Sequence, residues 1–198
     1  MKSDVILVSS DGGKLEKALD LTERVVAYWR LPPKMALHLR LLTEELMGMM
    51  HGITGERYGD FWIEVESGIC MLHLRTETTM DSEKREALLA AASDGSNDAA
   101  KGLMGWIRDL FDRGADADVA ALSATVAPYD STAIGNVFDW SLTQFRETLA
   151  MSRKSSPKAE EVWDQLEKSV VAHVADDVKV SIRGREVELI LYKNLLTQ

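Results

Sequence analysis

The sequence has one cysteine in 198 residues, so Cys70 cannot form an internal disulfide, and no Cys/His cluster has the spacing of a zinc site. It has no excess of positive charge. Its 23 Lys and Arg stand against 32 Asp and Glu, a net charge of −9, which argues against a nucleic-acid binder that relies on broad phosphate neutralisation. It has no apolar run near the roughly 20 residues of a membrane span. The apolar stretch after Met1-Lys2-Ser3-Asp4 is too short for a secretory leader. Neither nucleic acid nor membrane is therefore expected as a partner, and the expected compartment is the cytoplasm. No internal repeat is evident. What is there is ordinary for a globule: 45% hydrophobic and 28% charged residues exclude a disordered chain, a collagen-like chain and a coiled-coil rod. A chain of this length buries roughly 70% of its unfolded surface and needs no metal or disulfide staple.

Hydrophobic spacing sets out the elements. Val5 to Val8, ending in Ser9-Ser10-Asp11-Gly12-Gly13, predicts a first strand. Lys14 to Trp29 has helical spacing at Leu15, Ala18, Leu19, Val25, Val26 and Trp29. Pro32-Pro33 interrupts the chain and opens the next helix. From Met35 to Met50 the stripe Met35, Leu39, Leu42, Leu46 and Met49 is widened by Leu37, Leu41 and Met50, which predicts a helix buried almost all round. His51 and Gly52 read as its stop. Phe61, Ile63 and Val65 alternate with Trp62, Glu64 and Glu66, Ser67-Gly68 turns, and Ile69 to Leu74 returns, which is a hairpin.

Helices are predicted over Ser82–Ala92 and Ala99–Phe111, while Val119–Val126 fits a strand or a helix end. Phe138 to Met151 reads as a helix, with Trp140 on helical spacing. Glu160 to Val174 is another, and a second hairpin follows, turning at Arg183-Gly184. One helix and one hairpin cannot bury enough surface to stand alone, so the closing strands are assigned to the sheet of the first hairpin. The fold class is α/β: a two-layer sandwich, with helices on one face of a mixed, mostly antiparallel sheet.

This order resembles the GHKL superfamily of histidine-kinase and gyrase-type ATPases, nearest the small anti-sigma-factor serine kinases. Those kinases begin with a strand and two helices, the second carrying Glu-x-x-x-Asn. A hairpin follows, then an Asp-x-Gly loop, a lid, a Gly-rich helix start and a closing pair of strands. The matching stretches here are Leu41-Leu42-Thr43-Glu44-Glu45-Leu46-Met47-Gly48-Met49-Met50-His51 and Ser93-Asp94-Gly95-Ser96-Asn97-Asp98-Ala99-Ala100-Lys101-Gly102-Leu103-Met104-Gly105. The resemblance covers roughly residues 4 to 113 and 176 to 193. It implies one GHKL-like domain over 1–198 with a helical insertion at about 114–175, whose most distinctive part runs from Gly114 to Lys158. The Thr-Glu-Glu-Leu and Lys-Gly-Leu-Met-Gly stretches are also similar to those of uncharacterised firmicute proteins, a likeness that supplies no activity.

The motifs are degenerate. Where the family has the Mg²⁺-binding Asn, this chain has Gly48 four residues after Glu44 and Met49 four after Glu45. Neither offers the oxygen that Mg²⁺ requires. Glu77 or Asp81 stands where the family's adenine-reading Asp is expected, without the glycines that follow it there. The helix start at Lys101-Gly102, with Gly105 one turn on, keeps the character of an anion site, or simply packs closely on the sheet.

The candidate site residues are therefore Glu44 and Glu45 as catalytic carboxylates, and Gly48, Glu77, Asp81, Lys101, Gly102 and Gly105 as ligand-binding positions. No metal site is expected. The bland reading of the carboxylates is that one is solvated and the other pairs with Arg40 or caps a neighbouring loop. His38, His73 and His173 show no ligand spacing, Cys70 reads as a small buried hydrophobe, and Met47, Met49, Met50, Met71, Met80 and Met104 read as core or as an adaptable cleft.

The resulting expectation is a non-catalytic, regulatory module acting through a protein partner or as a homodimer, with no cofactor. The alternatives are an ATP- and Mg²⁺-dependent serine protein kinase of anti-sigma type, and a Mg²⁺-independent binder of a small anion.

Overall fold

The structure, a computed structural model, describes residues 1–9, 12–54, 58–77, 137–153, 157–183 and 185–196. Its elements are β1 (Ile6–Ser9), α1 (Gly12–Trp29), α2 (Pro33–Thr54), β2 (Tyr58–Glu66), β3 (Ile69–Glu77), β4 (Val137–Ser141), α3 (Leu142–Ser152), α4 (Pro157–Glu167), α5 (Val170–Val174), β5 (Asp177–Arg183) and β6 (Glu186–Asn194). The strands form one open sheet in the order β1-β2-β3-β6-β5-β4. Every pairing among them is antiparallel, which the hairpin connections themselves require of β2–β3 and β5–β6. The fold class is the α/β one expected, and the closing hairpin lies inside the sheet, with β6 against β3.

Register explains the core. Ile6, Phe61, Leu74, Leu189, Val180 and Trp140 are successive cross-strand partners, an apolar row six strands wide. A second row runs Ile63, Leu72, Leu191 and Val178. Strand alternation sends both rows to one face, where they form a single cluster with Leu39, Leu42, Leu46, Met49 and Met50 of α2, Ala18, Leu21 and Val25 of α1, and Phe145 and Leu149 of α3. Between α1 and α2 the hydroxyls of Thr22 and Thr43 meet at 2.8 Å, both buried. Ser67 and Gly68 both take positive φ, 50° and 81°, as the two-residue hairpin turn requires. A Cβ on Gly68 would meet Leu196 at 2.6 Å.

Several sequence expectations are corrected. The stretch Phe138–Met151 is not one helix: Val137–Ser141 is an edge strand and the helix starts at Leu142. Trp140 is buried in that strand rather than on a helix. The stretch 114–175, expected as helical, thus also supplies a strand to the common sheet. Glu160–Val174 is two helices, because Ser169 takes an extended conformation and caps α5 by accepting the Ala172 N–H. The second turn lies one residue later than expected, since Arg183 pairs with Glu186. α2 continues past His51 and Gly52 to Thr54, and Leu37 is 55% exposed rather than part of the buried stripe. The helices expected over Ser82–Ala92 and Ala99–Phe111 and the strand or helix end at Val119–Val126, with Asp81, Lys101, Gly102 and Gly105, lie outside the described residues.

Candidate functional site

Of the residues singled out from sequence, Glu44, Glu45 and Gly48 stand on α2 and Glu77 ends β3. Gly59, near the start of β2, fixes how α2 sits. A Cβ there would meet Met50 Sδ and the Arg75 carbonyl oxygen at 2.9 Å each, and Leu74 Cδ1 at 3.1 Å. The C-terminal half of α2 therefore lies over the end of the sheet where β2 begins and β3 finishes. This places Glu44, Glu45 and Gly48 toward the same end of the molecule as Glu77.

The two glutamates, one residue apart and so about 100° apart on the helix, have different surroundings. Glu44 accepts from Arg40 Nε at 3.2 Å, and Arg40 also reaches Glu23 of α1 at 3.1 Å. All three side chains are substantially exposed, so this is a solvated bridge from α1 to α2 of small energetic weight. Solvation and the Arg40 pair, which the bland reading divided between the two carboxylates, thus both fall on Glu44. Glu45 is half-buried, and burial, reinforced by the neighbouring Glu44, pushes its carboxyl above the ordinary value. Gly48 follows Glu44 by one turn and is exposed. A Cβ there would meet nothing within 4 Å, so close packing does not explain this glycine. The face of α2 that carries Glu44 thus continues into bare backbone, with no side-chain oxygen for a hard cation.

The opposite face of the sheet holds a cluster that sequence reasoning missed. Trp62 and His73 are cross-strand partners, stacked at 4.6 Å with an 11° interplanar angle. Both are more than nine-tenths buried. Lys2 and Arg75 place cations 5.2 and 5.6 Å from the Trp62 ring centre. The indole N–H donates to Glu64 at 2.8 Å, and Lys2 pairs with the same carboxylate at 2.9 Å. These two hydrogen bonds, Lys2 first, hold Glu64 below its ordinary pKa against a smaller opposing effect of burial. His73 Nδ1 meets Glu188 at 3.0 Å, while Nε2 is buried without a hydrogen-bond partner. No local signal announces this cluster, because its members come from three strands and the N-terminal segment.

Farther along that face, a shallow cavity of about 450 Å³ is lined by Ile69, Asp176, Asp177, Lys179, Tyr192 and Asn194. Its carboxylates are already engaged. Asp177 accepts from the Ser141 hydroxyl and from the Thr143 and Val178 N–H groups. Asp176 accepts from the Asn194 N–H at 2.5 Å and from Lys193 at 3.3 Å. Lys179 lies over the Tyr192 ring. This cavity is at the end of the sheet away from Glu77.

Among the described residues no group of three or more His, Cys, Asp and Glu is placed to hold a metal ion, and no helix is long and apolar enough to cross a membrane. His38 Nδ1 is buried without a partner, and burial, with Lys193 and Lys34 nearby, lowers the pKa of its ring. Burial pushes the Cys70 thiol up to about 12, which makes it unreactive. Compared with known proteins, the chain matches no family model, no curated protein and no solved structure.

Proposed function

We propose that the chain is a regulatory, protein-interaction module on a GHKL-like scaffold that has lost Mg²⁺-dependent nucleotide chemistry. The observation that carries this reading is Gly48, exposed on α2 one turn after Glu44 with open space at its Cβ position. At the position where the family supplies its Mg²⁺ ligand, this chain presents no side-chain oxygen. Glu44 is engaged by Arg40. The scaffold half of the reading is supported by the chain order of strand, two helices and hairpin, with a closing hairpin paired into the same sheet. The single-domain organisation, with 114–175 as an insertion, belongs to the same proposal. So does action through a protein partner or a second copy.

A second reading, the ATP-dependent serine protein kinase, is favoured by one observation. Glu45 is half-buried with its pKa raised, the direction that suits a general base near neutral pH.

A thermal-shift panel separates these readings. The whole chain is heated with ATP or ADP, each with and without Mg²⁺, and with inorganic phosphate. The module reading expects no shift from Mg·ATP. A Mg²⁺-dependent shift, accompanied by phosphate transfer that Glu45→Ala abolishes, would establish the kinase instead. A Mg²⁺-independent shift with phosphate that Lys101→Ala removes would establish the anion binder.

A further inference from the structure

The turn between α1 and α2 has a different character from the rest of this acidic chain. The net charge is −9, yet from Arg24 to Thr43 the sequence holds four Lys and Arg and no Asp or Glu. One of the four, Arg40, is taken up by Glu23 and Glu44. The other three, Arg24, Arg30 and Lys34, are exposed and make no ion pair among the described residues. The same turn is aromatic. Tyr28 is 70% and Trp29 42% exposed, and their rings meet edge to face at 5.9 Å. The Trp29 indole N–H donates to Met1 Sδ at 3.3 Å, and Met1 is itself 49% exposed. One exposed apolar side chain is ordinary, but here three are in contact. Tyr, Trp, Met and Arg are also the residue types enriched at the cores of protein interfaces, and Tyr, Trp and Arg lead among those that dominate binding.

Arg30 adds an observation of another kind. It takes φ 49° directly after α1. The Leu31 N–H returns to the Val26 carbonyl at 3.0 Å, and the Arg30 N–H to the Ala27 carbonyl at 3.2 Å. This is a Schellman helix end, whose left-handed position ordinarily takes glycine. An arginine there strains the backbone and forms no ion pair among the described residues in return. Glycine would serve the fold better, so the guanidinium itself is what this position keeps.

We infer that the α1–α2 turn, through Tyr28, Trp29 and Arg30, is the surface on which the module holds its partner, and that the partner is a different protein whose docking segment carries Asp or Glu beside an apolar side chain. Charge complementarity selects this occupant. The unpaired cations call for carboxylates, and the aromatic pair calls for an apolar anchor. A second copy does not answer, because a two-fold pairing would set this basic turn against itself. An anionic membrane suits the turn but not the molecule, since an extended negative surface also meets the repulsion of a chain at −9, whereas a short acidic segment meets the turn alone. The inference rests on the interaction-module reading and gives it a surface and a partner chemistry.

Selection of short random peptides displayed on phage against the whole chain tests it, with the enriched peptide then synthesised and titrated. The enriched sequences are expected to combine Asp or Glu with an aromatic or aliphatic side chain. Arg30→Gly is expected to weaken the peptide by at least about tenfold while leaving Tm unchanged or higher, because glycine relieves the backbone at this position. Tyr28→Ala is expected to weaken it by a similar factor. Arg185→Ala removes the same charge from an exposed turn elsewhere, and Met151→Ala removes an exposed apolar side chain from α3. Both are expected to leave binding unchanged. Affinity is expected to fall as NaCl rises from 0.05 to about 0.5 M. The absence of an enriched acidic peptide, or one that Arg30→Gly and Tyr28→Ala leave bound, overturns the inference. So does an Arg30→Gly protein of lower Tm, in which the arginine serves the fold. Binding to phosphatidylcholine vesicles only when they contain phosphatidylserine, with no peptide enriched, would assign the turn to a membrane and also overturn it. If the chain in these cases still fails to bind Mg·ATP, the surface is wrong while the module reading stands. If it binds Mg·ATP, both fall.

Discussion

Replacing Gly48 by alanine is expected to stabilise the protein. Glycine inside a helix is less favourable than alanine by roughly 0.5–1 kcal/mol, and a Cβ at this position meets nothing within 4 Å. The expected gain in Tm is about 1–4 °C, read by thermal unfolding monitored by circular dichroism. A loss of stability would show that the backbone at 48 is held for close approach by another group. Glu45 has a pH signature. Its folded pKa is raised above the ordinary 4.5, chiefly by burial, so its ionised form disfavours folding. That cost is present above the folded pKa and disappears as pH falls through 4.5. Glu45→Gln is therefore expected to raise Tm by about 1–2 °C at pH 7 and to leave it unchanged near pH 3.5. A Tm gain of equal size at both pH values would contradict the assignment. The placement of Glu44, Glu45 and Gly48 on one helix was legible from sequence because the apolar stripe from Met35 to Met50 fixes the period around them. The Trp62–His73–Glu188 cluster was not, because His73 and Glu188 lie 115 residues apart and meet only through the β3–β6 register.

Among the elements, the two hairpins and α2 follow from hydrophobic period, which places them correctly along the chain but not their limits: the second turn falls one residue late and α2 runs on to Thr54. The misread segment is instructive. Phe138, Leu142, Phe145 and Leu149 keep helical spacing across a strand-to-helix junction, and β4 is too short, at five residues, to establish a period of its own. The missed signal was local: Ser141-Leu142-Thr143-Gln144 has the spacing of a capping box, and the Ser141 hydroxyl indeed accepts the Gln144 N–H. Asp177 secures that junction from the neighbouring strand through Ser141, Thr143 and Val178. Asp177→Ala is expected to cost about 1–2 kcal/mol and to lower Tm by about 2–8 °C. Amide exchange is expected to rise first over β4 and α3, and unchanged protection there would show that the carboxylate is not what holds them.

At the scale of the whole molecule, the closing hairpin is the middle of the sheet. β6 joins the β1-β2-β3 half to the β5-β4 half, so the described strands share one core although the chain between β3 and β4 is long. That union was foreseeable from a size argument, since a lone hairpin and helix cannot bury enough surface. The pairing order was not, because it depends on which strand edges find each other in three dimensions. The claim on which the function rests is that this scaffold no longer holds Mg·ATP. Isothermal titration of the whole chain with Mg·ATP tests it most directly. The account predicts heats indistinguishable from dilution up to millimolar nucleotide. A saturable isotherm with a micromolar Kd that vanishes when Mg²⁺ is chelated would contradict it.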